Sequence, residues 1–411
     1  MNETLVNPSK KQWIILVLAT IAATAPLFFQ FCHSTQADYI MELYDLNYTQ
    51  LSSLNSSYAI ACGVGVIIVG MLAGKWGYKQ FTVLGIFIMI VAQIAFTFAP
   101  SYPVLLIAKF VSGFGNGCIY NAIYTFSILW FQGTNKVGVA AGAMTSADGI
   151  GTFIGLYVFA LMVTAWGYAE GVLVGSAVYG IVLIIMLFFL KNPPVDEEES
   201  KINADVTPSG VKQYTNIFNR NTICHSLVVT GVIGGLGIAN FWGPTILIDQ
   251  GISASNAGLC SSMFTAMGIV SSFLFGAISD KKGRQKPFIL IGGIGMVAAY
   301  LLMLVSDMMG SSALLVFSLM VCGFCGYIAY PIGFSMISDT VRVDMVAKCN
   351  GIVQGVSYLV GMLVFQQVMG IIKDATGTYW MGLLACAIFT FLLNVIPVIV
   401  LAKEKRDLQV N

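Results

Sequence analysis

Twelve long apolar runs divide this sequence of 411 residues. A helix of roughly 20 apolar residues crosses the hydrocarbon core of a bilayer, which is ~30 Å thick. The runs cover residues 13–33, 50–73, 81–99, 103–130, 138–164, 171–190, 222–247, 255–278, 287–306, 312–336, 347–372 and 379–402. The first run is too long for the apolar part of a signal peptide, and no small-residue cleavage site follows Phe31. The sequence therefore predicts an all-α integral membrane protein with twelve transmembrane helices.

Composition supports the membrane interpretation and excludes other classes of protein. Hydrophobic residues make up 57% of the chain and charged residues 9%, whereas an ordinary soluble domain carries roughly 25% charged residues. So few charges cannot cover a water-facing surface of this size, which excludes a disordered chain, a nucleic-acid-binding surface and a typical cytosolic enzyme. The nine cysteines are odd in number and scattered through apolar runs, so they imply no disulfide framework.

The basic residues are distributed unequally between the two sides of the predicted membrane domain. Twelve crossings place both termini on one side, and eighteen of the twenty Lys and Arg residues lie at the termini or in the loops on that side. They are Lys10, Lys11, Lys75, Lys79, Lys136, Lys191, Lys201, Lys212, Arg220, Lys281, Lys282, Arg284, Lys286, Arg342, Lys348, Lys403, Lys405 and Arg406. Only Lys373 lies on the far side, and Lys109 lies inside a run. The positive-inside rule therefore predicts cytoplasmic termini, and the short loops favour a multi-pass protein of a bacterial or archaeal plasma membrane.

The longest polar stretch lies between the sixth and seventh runs, from Lys191 to Asn221. It contains Pro193-Pro194 and an acidic run from Asp196 to Glu199, which we expect to be solvated in the cytoplasm. We interpret this stretch as a linker between two halves. The predicted organisation is an N-terminal six-helix bundle at 1–192, a cytoplasmic linker at 193–220 and a C-terminal six-helix bundle at 221–411.

The two halves resemble each other in sequence. The loop that begins at Gly70 after the second run corresponds to the loop that begins at Gly276 after the eighth run. Small residues recur on one face of the helix before each loop: Ser52, Ser56, Ala59, Gly63 and Gly70 in the first half, and Gly258, Ser262, Thr265, Ser272 and Gly276 in the second. Small residues at this spacing let helices approach closely in lipid, and repeated bundles with a site between them are a common plan of transporters.

The loop after the eighth run has the order Gly276-x3-Asp280-Lys-Lys-Gly283-Arg284. This order resembles the cytoplasmic loop signature of the major facilitator superfamily. The resemblance implies two six-helix halves that rock about a central cavity, and a gating role for this loop. Asp280 can accept hydrogen bonds at a nearby helix N-terminus, and Arg284 can bridge to an acid on a neighbouring helix. The alternative is that these charges only follow the positive-inside rule.

The first half keeps part of the same family pattern. Its loop has Gly70 and Gly77, but Gly74 stands where the acid is expected, which implies that this half lacks the equivalent contact. In the fourth run, the order Lys109-x3-Gly113-x-Gly115 is similar to the Arg-x3-Gly-x-Gly pattern of the family, with Lys in place of Arg. Together with the twelve runs and the linker, the resemblance covers nearly the whole chain.

Two charged residues lie well inside the predicted helices, where an ionisable group is a functional candidate. Asp148 lies near mid-membrane, about 17 Å along the fifth helix from Val137. It can carry a coupling proton or pair with a cationic substrate, and the alternative is a protonated carboxyl group that only joins two helices. Lys109 lies about 9 Å from the edge of the membrane opposite to the predicted cytoplasmic side. Its role is either in substrate binding or coupling, or in a structural pair. The two depths differ by only about 5 Å, so a direct pair is an open alternative.

Polar and aromatic residues on several runs form the candidate binding site. In the family that the chain resembles, helices one, four, seven and ten line the cavity, and helices two, five, eight and eleven flank it. The resemblance therefore implies substrate contacts at Gln30, Tyr120, Tyr124, Asn240, Trp242, Tyr327, Tyr330 and Gln354. For each aromatic residue alone, packing between helices is the alternative. His33 and His225 lie near the ends of their runs, where a solvated or capping role is expected.

The candidate site is rich in amides, hydroxyl groups and aromatic rings, which suits a small solute held by hydrogen bonds and stacking. Tyrosines on the fourth and tenth runs resemble those of oxalate and monocarboxylate carriers. The first expectation is therefore a small organic anion moved by symport or exchange, with Lys109 able to supply a charge. The alternative is a proton-coupled exporter of lipophilic or cationic compounds that uses Asp148, although the fifth run lacks the Gly-Pro motif of such exporters.

Other classes of function are not expected. No paired acids, activated nucleophile or metal-ligand cluster lies at membrane depth, so we expect neither an enzyme nor a metal site nor a cofactor. The linker is too short to hold the output domain of a sensor, and no Gly-x4-Gly-Lys-Ser/Thr loop for ATP is present. We expect a gradient-driven monomeric transporter whose partners are the lipid bilayer, a small-molecule substrate, and protons or a counter-substrate.

Overall fold

A computed structural model of the protein describes residues 7–131, 134, 136–192, 214–282, 285–404 and 407. Most of the predicted linker lies outside these residues, and so do Gly283, Arg284 and the side chain of Asp280. The predicted boundaries at 192 and 220 and the predicted gating role of the second loop therefore stay predictions.

The predicted all-α fold with twelve transmembrane helices is confirmed. Twelve helical segments are long and apolar enough to cross a bilayer. They are α1 (Lys10–Tyr44), α2 (Tyr48–Trp76), α3 (Tyr78–Thr97), α4 (Tyr102–Phe131), α5 (Gly142–Trp166), α6 (Tyr168–Phe189), α7 (Arg220–Asp249), α8 (Ala254–Phe275), α9 (Lys286–Met309), α10 (Ser312–Phe334), α11 (Lys348–Thr376) and α12 (Trp380–Val400). Helical structure continues beyond these bounds to Val137 in α5, Lys282 in α8, Thr340 in α10 and Val343 in α11.

The helix ends fall at two opposite ends of the bundle. In the N-terminal half, Gln12 Nε2 donates to the carbonyl oxygen of Trp130 at 2.7 Å. In the C-terminal half, Asn221 Nδ2 donates to the carbonyl oxygen of Lys403 at 2.8 Å. We call the end that holds these residues the terminal end. The opposite end, with the α1–α2, α7–α8 and α11–α12 connections, is called the distal end.

The two halves repeat the same helix packing. In the N-terminal half, Gly113 of α4 lies so close to Tyr58 of α2 that a Cβ atom would overlap the Tyr58 carbonyl group. In the C-terminal half, Gly323 of α10 lies against the backbone of Phe264 in α8 in the same way. Glycine permits this close approach of two helices, and each of the four residues has its equivalent in the other half. The predicted repeat of two six-helix halves is confirmed.

The halves meet along two helix pairs, α2 with α11 and α5 with α8. Gly63 of α2 packs against Leu359 of α11, and Gly258 of α8 packs against the backbone of Leu156 in α5. Both glycines belong to the small-residue faces that recur in the sequence. Part of each small-residue face therefore lies at the contact between the halves.

Several helices depart from regular α-geometry within the membrane. The first helix is divided into Lys10–Ala23, Ala25–Phe31, a 3₁₀ turn at Ser34–Gln36, and Ala37–Tyr44. Four helices contain a π-helical turn, at Ile154–Val158 in α5, Ile238–Trp242 in α7, Ser357–Met362 in α11 and Phe391–Val395 in α12. Such turns insert one extra residue into a helix and are frequent at functional sites. Three of them lie in helices that meet the opposite half or the cavity described below.

Candidate functional site

A small cavity lies where the two halves meet. The N-terminal half contributes Leu27, Tyr120, Tyr124 and Asp148, and the C-terminal half contributes Tyr327, Tyr330, Tyr358 and three aliphatic residues of α7, Val232, Ile233 and Leu236. Its volume of about 40 Å³ holds no more than a few water molecules. The cavity is therefore narrow in this conformation, with walls that belong to both halves.

Among the described residues that line the cavity, Asp148 of α5 carries the charge. Its Oδ2 accepts a hydrogen bond from the Tyr124 hydroxyl at 2.6 Å and a longer one from Tyr120 at 3.4 Å. The Tyr124 hydroxyl also lies 3.0 Å from the carbonyl oxygen of Met144, a second acceptor within its reach. Asp148 Oδ1 is buried and has no hydrogen-bond partner in the described part of the chain. One carboxyl oxygen is therefore available for a proton or for a donor group of a solute.

Hydrogen bonds continue from Asp148 into the other half. Tyr120 and Tyr124 lie one turn apart on α4, and their rings stack with centroids 4.8 Å apart. The Tyr120 hydroxyl lies 3.4 Å from the Tyr330 hydroxyl of α10. Gln354 Nε2 of α11 donates to the Tyr330 hydroxyl at 2.6 Å. The structure thus brings five of the predicted residues into one polar network that crosses the contact between the halves.

Two further tyrosines complete the wall. The Tyr327 ring lies 5.9 Å from that of Tyr330, and the Tyr358 ring meets Tyr120 edge-on at 6.2 Å. Tyr327 was among the predicted contacts, but Tyr358 was not. Its spacing of one turn from Gln354 on α11 was the signal that would have added it.

Lys109 lies away from the cavity, inside the N-terminal half. Its Nζ is 3.5 Å from the carbonyl oxygen of Gln30 and lies over the rings of Phe96 at 5.2 Å and Tyr58 at 5.8 Å. The carbonyl group belongs to the last turn of the short helix Ala25–Phe31, where the helix dipole favours a cation. Within the described residues, Lys109 and Asp148 do not form the direct pair that their similar depths left open.

The expectation of a solvated or capping role is wrong for both histidines, because both are buried, His33 makes no capping hydrogen bond with its side chain, and His225 lies inside its helix. His33 Nε2 lies 3.1 Å from Gln93 Oε1, and its Nδ1 lies 2.8 Å from the Tyr168 hydroxyl. His225 packs edge-on against Phe334 with ring centroids 4.6 Å apart. Both side chains are packed inside the bundle although they lie near the ends of their runs. A position near the end of a run therefore does not imply contact with water. Among the described residues, no group of three His, Cys or acidic side chains is placed to hold a metal ion.

Two of the predicted substrate contacts lie one helical turn distal to the cavity wall. Gln30 follows the lining residue Leu27 in α1, and Asn240 follows the lining residue Leu236 in α7. Both amide groups are buried and have no hydrogen-bond partner in the described part of the chain. A buried amide without a partner is unfavourable by roughly 2–7 kcal/mol. We expect these groups to gain partners in another conformation, and their contact with substrate stays a prediction.

Trp242, another predicted contact, lies still further towards the distal end. Its ring is fully buried, with centroids 6.0 Å from Tyr48 of α2 and 6.1 Å from Tyr379, which precedes α12. The π-helical turn that ends at Trp242 places this ring between the halves instead of in the cavity wall. Trp242 therefore helps to close the distal side.

The loop after α2 is held within the N-terminal half. Gly77 has a φ of 97°, which favours glycine, and its N–H ends α2 by donating to the Ala73 carbonyl oxygen. The Lys79 N–H donates to Asn192 Oδ1 at 2.8 Å, just after the end of α6. These contacts explain the glycine of the family pattern by backbone geometry. A gating role for this loop stays a prediction.

At the distal end, α11 of one half contacts α2 of the other. Asp374 accepts hydrogen bonds from the backbone N–H groups of Tyr48 at 3.0 Å and Thr49 at 2.7 Å, and from the Thr49 hydroxyl at 2.5 Å. Asp374 lies two residues beyond its predicted apolar run, in the predicted loop. Nothing in the sequence marks it as different from a solvated acid, so sequence reasoning missed it.

Lys373, the neighbour of Asp374, has its acidic partner within its own half. Its Nζ lies 3.8 Å from Asp249 Oδ2 and 3.6 Å from the centroid of the Tyr379 ring. The Tyr379 hydroxyl donates to the same Asp249 oxygen at 2.6 Å. Burial raises the pKa of Tyr379 above its ordinary value, and the hydrogen bond to the carboxylate raises it further, so the phenol stays a donor. Through Lys373 and Asp374, the distal end of α11 is thus bound to both halves.

The chain is similar in sequence to known transporters. Residues 12–365 match the family model of the Major Facilitator Superfamily. The hexuronate transporter of Bacillus subtilis (strain 168) is 21% identical over 366 residues, which cover 84% of each chain. The putative transporter YoaB of the same organism is 23% identical over 351 residues, which cover 82% of each chain.

Solved structures show the same fold. A D-xylose-proton symporter superposes with a TM-score of 0.75 at 13% identity, covering 97% of this chain and 99% of that one. A bacterial homolog to the human lysosomal transporter Spinster, in an inward-facing and unoccupied conformation, gives a TM-score of 0.78 at 14% identity, covering 98% and 100%. At such identities the likeness concerns the fold alone. The family match spans most of the chain, which therefore belongs to the major facilitator superfamily, a family of membrane transporters and not of enzymes.

Proposed function

We propose that the protein is a gradient-driven secondary active transporter that moves a small organic solute by alternating access. The observation that carries this proposal is the cavity between the halves, in which Asp148 is surrounded by tyrosine hydroxyls from both of them. A site at the contact between two repeats is exposed to one side or the other when the repeats rock. The cavity is therefore the proposed solute site.

Asp148 is the proposed carrier of the coupling proton. One of its oxygens has no partner among the described residues, and the Tyr124 hydroxyl on the other oxygen has Met144 as an alternative acceptor. The surroundings can therefore accommodate a charged or a neutral carboxyl group without leaving Tyr124 unpaired. Because a net charge inside the membrane is unfavourable, the site is expected to change sides most easily when Asp148 is neutral or neutralised by a solute.

The proposed solute is a small organic anion such as a carboxylate, moved with a proton or in exchange for a counter-substrate. Support comes from the similarity to the hexuronate transporter and from the hydroxyl donors of Tyr120 and Tyr330 in the cavity. The described residues of the cavity wall include no basic side chain, because Lys109 lies elsewhere. An anion therefore avoids repulsion in the cavity only when Asp148 holds a proton.

The second candidate is a proton-coupled exporter of lipophilic or cationic compounds. It is favoured by the stacked rings of Tyr120 and Tyr124 beside the Asp148 carboxylate, because aromatic faces and a carboxylate together bind organic cations. In this case the solute and the proton compete for Asp148. The two candidates therefore predict opposite effects of pH on binding.

Thermal unfolding of the purified protein with a panel of small carboxylates, sugar acids and organic cations, at two pH values, tests both candidates. A ligand at about 100 times its Kd stabilises the folded state by ~2.7 kcal/mol. For the anion function, carboxylates stabilise more at the lower pH, and Asp148→Asn, which carries no charge, is stabilised equally at both. For the exporter, cations stabilise more at the higher pH and Asp148→Asn loses the effect.

The matched control is Glu170→Gln, which removes an exposed acid at the distal start of α6. It should behave as the unmodified protein does. Uptake of the stabilising compound into proteoliposomes under an imposed pH gradient then measures the coupling. If the folded protein is stabilised by neither class of compound, both candidates are wrong.

The terminal end is the proposed cytoplasmic side of a bacterial or archaeal plasma membrane. The proposal is supported by the eighteen basic residues on that side against the single Lys373 at the distal end. A cysteine at the exposed Glu42 position should react with a membrane-impermeant thiol reagent in intact cells. A cysteine at the exposed Lys10 position should react only after the cells are permeabilised, and the reverse pattern would contradict the proposed orientation.

A further inference from the structure

The first turn of α2 is completed by a side chain from the other half. The N–H groups of this turn have no partner within their own helix. Asn47 accepts the hydrogen bond of Gln50, and Asp374 of α11 accepts those of Tyr48 and Thr49. The positive end of the helix dipole stabilises a carboxylate at this place. Asp374 can therefore accept from the start of α2 only while the two halves are together at the distal end.

A second polar contact joins the same helices about two turns from Asp374. Gln367 Nε2 of α11 donates to the hydroxyls of Ser53 and Ser56 in α2, both at 2.9 Å. Between the two contacts, Gly370 lies so close to Ser52 that a Cβ atom would overlap the hydroxyl oxygen. The close approach that glycine allows therefore brings both sets of hydrogen bonds within reach, and the contact depends on one relative position of α2 and α11.

Aromatic rings extend this contact towards α7. The Tyr48 ring lies 6.0 Å from that of Trp242, and Lys373 Nζ lies 5.4 Å from the centroid of the Tyr48 ring. All of these partners belong to the C-terminal half, whereas Tyr48 belongs to the N-terminal half. The first residue of α2 is thus held to the opposite half by its backbone and by its side chain.

Buried polar groups without partners lie between this contact and the cavity. They are the amides of Gln30 and Asn240 and the indole nitrogen of Trp242, none of which has a hydrogen-bond partner in the described part of the chain. Such groups are unfavourable in a dry contact. They become favourable when the halves separate at the distal end and water or a polar solute reaches them. Their placement on α1 and α7 marks the route from the cavity to the distal side.

We propose that Asp374, Gln367 and their partners Tyr48, Thr49, Ser53 and Ser56 form a distal latch, which keeps the cavity closed on the distal side and releases when it opens there. The proposal rests on the proposed alternating access, because a static protein needs no latch. It also places a gating acid on α11, at the opposite end from the loop that the family pattern indicates. Release exposes the N–H groups of α2 to water, which can replace Asp374 as their acceptor.

The reporter for the first test is Asn240→Cys, labelled from the distal side with a membrane-impermeant maleimide. Adding Asp374→Ala should raise the labelling rate roughly 10- to 100-fold, because hydrogen bonds to a charged group are lost from the closed state. Asp374→Asn keeps one acceptor oxygen and should give a smaller increase. Glu42→Gln, which removes an exposed acid at the same end, should give none. The protein with its nine native cysteines and no reporter gives the background rate.

The second test closes the latch covalently. The side chains of Thr49 and Asp374 touch, so the double variant Thr49→Cys/Asp374→Cys should form a disulfide on oxidation. The cross-link should reduce distal labelling of Asn240→Cys to background, and a reductant should restore it. The matched control is Gln80→Cys/Asn192→Cys, whose side chains lie 2.9 Å apart within one half, and whose cross-link should leave labelling unchanged.

The latch proposal is wrong if the cross-linked protein is labelled at the normal rate, or if folded Asp374→Ala and Asp374→Asn variants are labelled no faster than the parent. Far-ultraviolet circular dichroism identifies a variant that has not folded. In that case, the labelling of the cross-linked protein still tests the latch. Neither readout needs a substrate. Latch behaviour without transport of any compound would contradict the proposed function alone, and transport with unchanged labelling would contradict the latch alone.

Discussion

Asp148 and Lys109 are both buried in the N-terminal half, but their surroundings differ in one decisive respect. Asp148 is bonded to Tyr120, which reaches Tyr330 of the opposite half. The described contacts of Lys109 are a carbonyl oxygen and two aromatic rings of its own half. A buried charge can influence the rocking of two halves only if its partners include both of them. The comparison therefore supports the proposed coupling role of Asp148, and for Lys109 we propose a role in helix positioning.

The largest effect is expected for Asp148→Asn. The change keeps the shape of the side chain but removes the group that binds and releases a proton, so uptake driven by a pH gradient should fall to background. Exchange of internal for external solute, which needs no net proton movement, should continue. Comparison of both fluxes in proteoliposomes, with Glu170→Gln as the control, measures the effect. Gradient-driven accumulation by the Asn variant would remove Asp148 from the coupling step.

Tyr124→Phe should have the next largest effect. It removes the 2.6 Å hydrogen bond to Asp148, and a bond to a charged group contributes about 1.5–3 kcal/mol. Initial uptake rates should therefore fall roughly 10- to 100-fold. Tyr157→Phe in α5, where the ring packs against Phe153 away from the cavity, is the matched control. Equal rates in the two variants would show that the tyrosine does not act through Asp148.

Tyr330→Phe tests the part of the network that belongs to the other half. It removes the acceptor of Gln354 and the hydroxyl beside Tyr120, and one neutral hydrogen bond contributes about 1 kcal/mol. We expect solute binding to weaken by roughly 5-fold, with the pH dependence preserved. Ligand-induced shifts of the unfolding temperature at two pH values give both quantities. A lost pH dependence would mean that the proton is held by the whole network and not by Asp148.

The smallest effect is expected for Lys109→Met. Methionine keeps much of the volume and removes a charge whose interaction with a helix end is worth about 0.3–1 kcal/mol. The free energy of unfolding should change by about 1 kcal/mol at most, and transport should keep its pH dependence. Thermal unfolding and proteoliposome uptake test this expectation. Loss of anion binding in this variant would restore the sequence-based view of Lys109 as a counter-charge.

A double variant sharpens the same comparison. If Lys109 and Asp148 do not interact, the effects of Lys109→Met and Asp148→Asn on the free energy of unfolding should add within about 0.5 kcal/mol. A larger deviation would mean that the two groups approach each other in another conformation. Unfolding of the single and double variants in one detergent provides the cycle.

Much of the fold and the centre of the site could be predicted from the sequence. The length of the apolar runs determines the number of helices, and the two loop motifs reveal the repeat. Asp148 was found because a charged residue inside an apolar run is a functional candidate, and Tyr120 and Tyr124 because helix four lines the cavity in the family that the chain resembles. Each of these inferences uses one helix at a time, for which periodicity is sufficient.

Periodicity within one helix could not predict the contacts between helices. The depths of Lys109 and Asp148 suggested a pair, but depth does not specify which way a helix faces, and the two side chains point to different neighbours. Asp374 looks like an ordinary loop acid until α2 is placed beside it. Trp242 was assigned to the cavity because helix seven lines it in the family that the chain resembles, but its ring packs between Tyr48 and Tyr379 nearer the distal end.

The π-helical turns have a consequence for how residue roles are transferred from relatives. Each π-helical turn contains one residue more than a regular α-helical turn. One residue corresponds to about 100° of rotation around a helix axis. If a relative has a regular α7 without the π-helical turn, its residues beyond the position of Trp242 are offset by one from the residues of this chain that occupy the same place in space. At about 21% identity a gap-free alignment hides that shift. Equivalent positions on the distal parts of α5, α7 and α11 should therefore be identified by superposing structures and not by sequence alignment alone. Only then are the specificity residues of two transporters compared with their true equivalents.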